Sequence, residues 1–463
     1  MFGSTVLSYL DRQSITLVKP YIADEFHLTN AGFGWVLAAF SLSYAFFQLP
    51  AGYLADRLDV RWVYALAVGW WSLAAIAMAF SPVLGLLMVF RALLGLGESF
   101  NWPCALRVTS MILPPADRSL GNGIFNSGAA VGAVLAPLLF PPLALRFGWR
   151  SSFVIVGSLG ILWMIAWVVM VGGRRGRGLG GSVDSGARVV DSVRRPWPVE
   201  VWVTFGLVAG VSLAVAATFL WFGERSIWCS IACFMIGLLV ACRVLPESSR
   251  RGLGWAESLG EIVRLRRFWV LVLVSISINV CWHFLINWLP TYLKDDRGMS
   301  YLASGYWSAL PFLAADLGNL GGGAASRWLV RGGLSPSSAR TRVMLLCSFL
   351  IGPGALVGQV GSDALVIALL VAMAFGTAAF MANYFAFCQE VSDQQTGLVV
   401  GVLGGLGNLF VAGFLPFAGS VKDATGSFGV IFIIVGILPF VGLVVLWLGW
   451  GEDAQLSPVS RDC

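Results

Sequence analysis

Residues 1–22 read MFGSTVLSYLDRQSITLVKPYI and carry two charged residues, Asp11 and Arg12, side by side in the middle of an apolar segment. A charged side chain at the centre of a bilayer costs about 2.5–3.5 kcal/mol on insertion scales, so the pair indicates a functional site at membrane depth. At about 1.5 Å per residue, Asp11 lies roughly 15 Å from Met1, near half the thickness of the hydrocarbon core. Adjacent residues on a helix point about 100° apart, so the two charges cannot neutralise each other and each needs a partner elsewhere.

The composition is that of a membrane protein. Apolar residues make up 58% of the chain and charged residues 12%, about half the charged fraction of soluble domains. The 55 Gly allow close helix packing in lipid, and the 20 Trp suit the membrane interfaces. The net charge of +6 comes from Arg-rich loops and so indicates topology rather than nucleic-acid binding. The eight cysteines include no CxxC and no Cys/His cluster, so we expect neither a metal site nor a cofactor.

Apolar spans, each near the length of about 20 residues that a membrane-crossing helix needs, follow one another in groups of six, two and six. The pattern predicts an all-α membrane protein with about fourteen transmembrane helices. Its expected parts are an N-terminal six-helix half (1–173), a cytoplasmic loop (174–265) with an inserted apolar hairpin (about 200–246), a C-terminal six-helix half (266–452) and a cytoplasmic tail (453–463).

Arginine is concentrated in the loops on one side of this layout, as in GGRRGRG (172–178) and PESSRRGLGWAESLGEIVRLRR (246–267). The positive-inside rule makes that side cytoplasmic. We therefore expect both termini in the cytoplasm and the chain in the cytoplasmic (inner) membrane. A weak internal repeat, GYLADRLDVRWV (52–63) against GGGAASRWLVRGG (321–333), is typical of a transporter built from two related halves.

The loop GYLADRLDVR (52–61) resembles the signature G-x-L-A-D-R-x-G-R of the major facilitator superfamily. Gly52, Asp56, Arg57 and Arg61 match the signature, whereas Asp59 stands where Gly is usual. Gly lets helices approach closely, and Asp56 can cap a neighbouring helix or pair with an Arg. We therefore expect Gly52, Asp56, Arg57 and Arg61 to act in gating.

The segment RALLGLGESFNWP (91–103) resembles the fourth-helix motif of the same superfamily. Arg91 and Glu98 lie seven residues apart, hence on one helix face but about 10 Å apart along the axis. We expect them to address a central cavity separately, with Arg91 in a gating role. The alternative for Arg91 is that its side chain extends to the membrane interface.

Further segments, namely YLDRQS (9–14), SYAFFQLPAG (43–52), FNSGAAVGAVLAP (125–137), WLPTYLKDDRGMS (288–300) and LPFLAADLGNLGGG (310–323), resemble the anion:cation symporters, which include bacterial hexuronate, glucarate and galactonate carriers. The last segment, with SFLIGPGALVG (348–358), looks most like hexuronate transporters. The resemblance covers both halves but not residues 174–265. It implies that Asp11 and Glu98 are proton-coupling carboxylates, that Arg12 binds the substrate carboxylate, and that Tyr44 and Gln48 line the cavity.

Other polar residues lie at membrane depth in the second half. His283 and Asn287 share one face of the seventh predicted helix, and with Trp282 they are candidates to contact the substrate. For His283, a hydrogen-bonded packing role is the alternative. Asp316 in the eighth helix is a third proton-coupling candidate, because a carboxylate in lipid is costly, although it can instead hold a neighbouring helix.

These observations predict a secondary active transporter and not an enzyme: a monomer that imports a small organic anion, such as a hexuronate, together with protons. An organophosphate antiporter is a weaker alternative, because the seventh helix offers His283 and no Arg for a dianion. A drug/proton exporter is suggested only by the helix number, and drug cations would not require Arg12. A ligand sensor that does not transport is the remaining alternative, and uptake into proteoliposomes would separate it from a carrier.

The hairpin at 200–246 is expected to lie outside the twelve-helix core, because its faces are apolar almost all round and give no cavity-lining stripe. Replacing residues 197–250 by a flexible linker should therefore retain measurable uptake in proteoliposomes. Size-exclusion chromatography of the purified deletion protein controls for correct folding. Complete loss of transport by a folded, inserted deletion protein would assign the hairpin a role in gating.

Overall fold

The computed structural model describes residues 1–57, 59–112, 118–172, 259–260, 262–389, 391 and 396–450, and over these ranges it is helical without a β-strand. The predicted hairpin at 200–246, most of the loop at 174–265 and the tail at 453–463 lie outside the described residues, as do the side chains of Asp56 and Arg57. The predicted total of fourteen transmembrane helices depends on that hairpin, and it stays a prediction.

The helices of the first part of the chain are α1 (Phe2–Leu17), α2 (Lys19–Glu25), α3 (Asn30–Arg57), α4 (Val60–Met78), α5 (Leu84–Glu98), α6 (Asn101–Ile112), α7 (Arg118–Phe147) and α8 (Trp149–Gly172). Those of the second part are α9 (Arg266–Thr291), α10 (Tyr301–Arg331), α11 (Pro336–Ile351), α12 (Asp363–Gln389), α13 (Thr396–Thr425) and α14 (Gly429–Gly449). A π-helical turn at Tyr292–Asp296 extends α9, and a 3-10 turn at Gly352–Leu356 extends α11.

The twelve spans predicted outside 174–265 each coincide with a helix or with a pair of short helices. The first span breaks at Val18, just before Pro20, into α1 and α2, and the fourth breaks after Glu98 into α5 and α6. Among the described residues, ten helical stretches are long and apolar enough to cross a membrane. The α1–α2 pair and α10 fall short because α1 has only 16 residues and carries Asp11 and Arg12, while α10 carries Asp316 and other polar residues.

Two helix pairs join the first six spans to the last six: α3 packs along α13, and α7 packs along α10. These contacts are tightest at the end of the bundle that holds Asn30 and Asp423, called here the distal end. Ala31 N donates to Asp423 Oδ2 at 2.8 Å, and Asn30 Nδ2 donates to Asp423 Oδ1 at 2.7 Å. A Cβ at Gly34 would overlap the backbone of Pro416, and one at Gly419 would overlap the backbone of Asn30. The distal end is therefore closed.

The loop that resembles the superfamily signature shows what its unusual residue does. Asp59 caps α4, because its Oδ1 accepts from Arg61 N at 3.1 Å, and its carboxylate also accepts from the Arg61 guanidinium at 2.7 Å. No described atom lies within 4 Å of a Cβ built on Gly52. The close helix approach that was expected at Gly52 is instead found at Gly34, where α3 meets α13.

A substitution at Gly34 should open the distal end. In Gly34→Ala the new Cβ meets the Pro416 backbone, so α3 and α13 must separate. We expect spin labels on Asp24→Cys and Ala424→Cys to move apart by several ångströms in pulsed electron paramagnetic resonance. Gly413→Ala, also on α13, is the matched control because its Cβ would enter open space. An unchanged distance in folded Gly34→Ala would show that this contact does not hold the end closed.

Candidate functional site

A cavity of about 160 Å³ lies between the first six and the last six spans, midway along the bundle. Helices α1, α3, α5, α9, α10, α12 and α13 all contribute to its wall. The six residues predicted to bind substrate all line it: Arg12, Tyr44, Gln48, Trp282, His283 and Asn287. Asp316 and Arg91 also line it, so residues from distant parts of the sequence meet in one place.

Arg12 is the charged residue that α1 presents to this cavity. Its Nε donates to Glu98 Oε2 at 2.5 Å, and Ser8 Oγ donates to the same oxygen at 2.8 Å. The guanidinium carbon lies 4.5 Å from the centroid of the Tyr44 ring and 5.2 Å from that of Phe40. Its Nη2 is buried without a hydrogen-bond partner among the described residues. Arg12 is thus held on one edge and has donor capacity left for a carboxylate.

Glu98 is fully buried and holds Arg12 rather than lining the cavity. The expectation that Arg91 and Glu98 address the cavity separately is therefore wrong for Glu98. The spacing of Arg91 and Glu98 along α5 gives no information about which residue of another helix lies beside Glu98, so the pairing with Arg12 was not predicted.

Arg91 is only 1% exposed, so the alternative that its side chain reaches the membrane interface is wrong. Its guanidinium lies 5.0 Å from the Phe40 ring centroid, and its Nε and Nη1 have no partner among the described residues. Gly95, on the same helix, makes this burial possible because a Cβ there would lie 2.5 Å from the Phe40 carbonyl oxygen.

Asp11 lies behind the cavity wall, 2% exposed, with Oδ1 unpartnered among the described residues. The charged groups that act on it are Glu98 and Arg91. Asp11, Arg12, Arg91 and Glu98 form a buried cluster of two carboxylates and two guanidiniums, called here the charge cluster. Several of its polar atoms have no partner, so the cluster can change its protonation or take up a ligand.

A stripe of polar side chains on α9 faces the same cavity, at residues Ser275, Asn279, His283 and Asn287. Each of the last three donates to the backbone carbonyl four residues earlier: Asn279 Nδ2 to Ser275 at 2.9 Å, His283 Nδ1 to Asn279 at 3.0 Å, and Asn287 Nδ2 to His283 at 2.8 Å. A carbonyl only accepts, so His283 carries a proton on Nδ1, and its Nε2 is left as an acceptor in the neutral ring. The stripe therefore offers neutral acceptors to hydroxyl groups.

Sequence reasoning missed part of this polar lining. Asn279 belongs to the α9 stripe, four residues before His283, and that spacing was the available signal. Asn319 and Asn408 line the cavity from α10 and α13, and Tyr9 lines it from α1. Gln48 was expected; its Oε1 is unpartnered among the described residues and lies 2.9 Å from the position of a Cβ on Gly404.

Paired helices around a mid-depth polar cavity, closed at one end, define an alternating-access membrane carrier rather than an enzyme. The sequence profile of the Major Facilitator Superfamily matches residues 1–336. The chain therefore belongs to the Major Facilitator Superfamily and is a multi-pass membrane transporter.

Curated relatives cover nearly the whole chain. The D-galactonate transporter of Escherichia coli O6:H1 is 27% identical over 89% of this chain and 86% of its own length. The hexuronate transporter of Escherichia coli K12 is 24% identical over 96% and 90%. The probable galactarate/D-glucarate transporter GudP of Bacillus subtilis is 24% identical over 100% and 91%.

Solved structures share the fold. A POT family transporter in complex with a thioalcohol-conjugated peptide aligns with a TM-score of 0.70 at 14% identity, covering 96% of this chain and 94% of that one. A bacterial homologue of the human lysosomal transporter Spinster, in an inward-facing, occupied conformation, aligns with a TM-score of 0.63 at 18% identity, covering 97% and 95%.

Proposed function

We propose that this protein imports a small sugar acid together with protons, as a monomer in the cytoplasmic membrane with both termini in the cytoplasm. The observation that carries the proposal is the free donor capacity of Arg12 in a cavity whose opposite wall is the neutral polar stripe of α9. Relatives named as galactonate, hexuronate and glucarate transporters support this choice of substrate class.

The two ends of a sugar acid match the two walls of the cavity. The carboxylate takes the unpartnered Nη edge of Arg12, where a charge-assisted and bidentate bond is possible. The hydroxyl groups donate to His283 Nε2 and to the side-chain oxygens of Asn279 and Asn287. Tyr44, Gln48 and Trp282 enclose the sugar from the sides, and Trp282 is itself fixed edge-to-face against Phe312 at 6.1 Å.

The presence of Arg91 at the cavity favours a second candidate substrate, a dianion such as an aldarate or a phosphate ester. Its guanidinium lines the same cavity with two unpartnered nitrogens, so a second anionic group could be held there. The α9 stripe adds no cation to the cavity, which favours the monoanion. Competition between uronates, aldarates and hexose phosphates in a thermal-stability screen of purified protein separates the two candidates.

Proton coupling is assigned to Asp11 and Glu98, with Asp316 as the third candidate. Glu98 neutralises Arg12 when it is ionised. Protonation of Glu98 removes that partner and leaves the guanidinium to the substrate carboxylate, so proton binding and anion binding favour each other. Asp11 acts on the same cluster from behind the wall, and Asp316 faces the substrate from α10.

Substitution of Arg12 tests the anion site. Arg12→Lys keeps the charge but loses the planar fork, so we expect binding of D-glucuronate or D-galactonate to weaken about tenfold or more, a loss of about 1.4 kcal/mol or more. Arg12→Ala should abolish binding in a calorimetric titration. Arg150→Lys is the matched control, because Arg150 pairs with Glu25 outside the cavity.

Arg12→Ala also leaves Glu98 buried without its cation, and breaking a buried pair costs about 3–5 kcal/mol. The thermal transition of each variant is therefore measured before binding. A folded Arg12→Ala protein with wild-type affinity would remove Arg12 from the site.

Substitution of the buried carboxylates tests coupling. Asp11→Asn and Glu98→Gln imitate the protonated state permanently, so uphill uptake driven by a pH gradient should be lost in reconstituted vesicles. Exchange of labelled for unlabelled substrate at equal concentrations should survive in at least one of them, because exchange requires no deprotonation. Asp363→Asn, whose carboxylate pairs with Arg297 outside the cavity, should retain both activities. If both Asp11→Asn and Glu98→Gln still accumulated substrate in response to the pH gradient, Asp316 and His283 would become the candidates for proton coupling.

A further inference from the structure

A second cavity, of about 340 Å³, lies at the distal end of the bundle and is called here the outer cavity. This volume is in the range of small-molecule sites. Its walls are the end of α1 with α2, the start of α3, the end of α9 with its π-helical turn, and the start of α10. Its polar lining includes Thr16, Lys19, Asn30, Lys294, Asp295 and Tyr301.

The outer cavity lies in line with the central one, because helices that line both give the same order of residues. On α3, Asn30 lines the outer cavity and Leu37 the central cavity, with fully buried Phe33 between them. On α9, Thr291 lines the outer cavity and Asn287 the central one, with fully buried Trp288 between them.

The two intervening aromatic residues form the partition. Phe33 and Trp288 meet edge-to-face at 6.1 Å between ring centroids. One pair of rings therefore separates the outer cavity from the substrate cavity.

The ammonium group of Lys19 lies beside these two rings, and few negative charges are close to it. Its side chain is 8% exposed, and Nζ lies 5.0 Å from the Trp288 ring centroid and 5.6 Å from that of Phe33. Nζ donates to Asn30 Oδ1, a neutral acceptor, at 2.5 Å. The described ion pairs give it one carboxylate contact, with Asp295 at 3.8 Å, and Asp295 lies closer to Lys294, at 3.2 Å. An ammonium has three donors, so Lys19 retains capacity for an anion.

Two hydroxyl groups of the outer cavity are buried without a partner among the described residues, namely Thr16 Oγ1 and Tyr301 OH. The Tyr301 ring is fixed edge-to-face against Tyr21 of α2 at 5.5 Å between centroids. A hydroxyl both donates and accepts, so these groups match the hydroxyls of a polyol chain. Asp24 is exposed and Asp295 is 33% exposed, so the carboxylates lie toward solvent and the buried Lys19 lies at the floor.

We propose that the outer cavity is an entry site for the sugar acid, in which Lys19 holds the carboxylate while Thr16 and Tyr301 hold hydroxyls before the substrate reaches the central cavity. Arg12 lines the central cavity, and Thr16 and Lys19, which follow it in the sequence on the two sides of the break at Val18, line the outer one. The carboxylate then has to move about 10 Å, from Lys19 to Arg12, when Phe33 and Trp288 part. This inference rests on the proposed sugar-acid function.

The test uses protection of a cysteine in the outer cavity. Ala23 lines the cavity and is partly exposed, so Ala23→Cys is labelled with a membrane-impermeant methanethiosulfonate on intact cells. The protein without this substitution gives the labelling background, and its described cysteines, Cys104, Cys281, Cys347 and Cys388, are buried. The measurement is made in Arg12→Ala, which removes the central anion site, and again in Arg12→Lys in case the first protein does not fold.

We expect D-glucuronate and D-galactonate to slow labelling severalfold, and galactitol, a polyol without a carboxylate, to have no effect. Lys19→Gln should abolish the protection, and Lys19→Arg, which keeps the charge, should restore it. Lys422→Gln is the matched control: Lys422 is a buried lysine at the same end that pairs with Asp296 and does not line the outer cavity. It should leave the protection intact.

Absence of protection by either sugar acid, or equal protection in Lys19→Gln and in the protein that retains Lys19, would overturn the entry site. If protection from labelling were lost in Lys422→Gln as well as in Lys19→Gln, Lys19 would instead have a role in closing the distal end. Uptake by the protein with intact Arg12 is measured separately in vesicles. Uptake without protection removes the entry site alone, whereas protection without uptake removes the proposed transport function and keeps the outer binding site.

Discussion

The ion pair between Arg12 and Glu98 is the contact on which the rest of the structure depends. Both side chains lie at membrane depth, where neither solvent nor lipid can balance a charge. Their pairing links α1 to α5 through side chains, and Ser8 completes the coordination of the carboxylate from one turn earlier on α1. Truncation of one partner of a buried pair leaves an uncompensated charge and costs about 3–5 kcal/mol, so this contact contributes to the stability of the folded protein.

The ion pair leaves several polar atoms of the charge cluster without a hydrogen-bond partner. Arg12 Nη2, Glu98 Oε1, Asp11 Oδ1 and two nitrogens of Arg91 have no partner among the described residues. In a cluster with a purely structural role we expect such atoms to be hydrogen-bonded, because each buried unpaired polar group costs about 1–3 kcal/mol. Unpartnered atoms in and directly behind one wall of a cavity fit the proposed site for a carboxylate and for protons.

The sequence predicts the helices well and the partners within the site less well. Hydropathy predicts a span for each helix or pair of short helices outside 174–265, because the bilayer sets the length that a spanning helix needs. The positions of Arg12, Tyr44 and Gln48 at the cavity were implied by the resemblance to the anion:cation symporters, and those of His283 and Asn287, with Trp282 beside them, by their spacing on one helix face. The pairing of Glu98 with Arg12 does not follow, because helical spacing orders residues within one helix and gives no register between two. Lys19 was overlooked for a related reason: near the end of a predicted span it looks like an interfacial lysine, and only the packing of Phe33 and Trp288 around it shows that it is buried.

One stretch of chain, from the middle of α1 to the start of α2, borders both cavities. Arg12 lines the central cavity, and Thr16 and Lys19, on the two sides of the break at Val18, line the outer one. Helix α9 also borders both cavities, because Trp288 packs against Lys19 while Asn287, the preceding residue, lines the central cavity. The hydrogen bonds of Asp423 to Asn30 and Ala31 hold α3 beside α13 while the partition is closed. The hydrogen bonds that close the distal end thus join the two halves of the sequence, whereas Arg12 on α1 pairs with Glu98 within the first half.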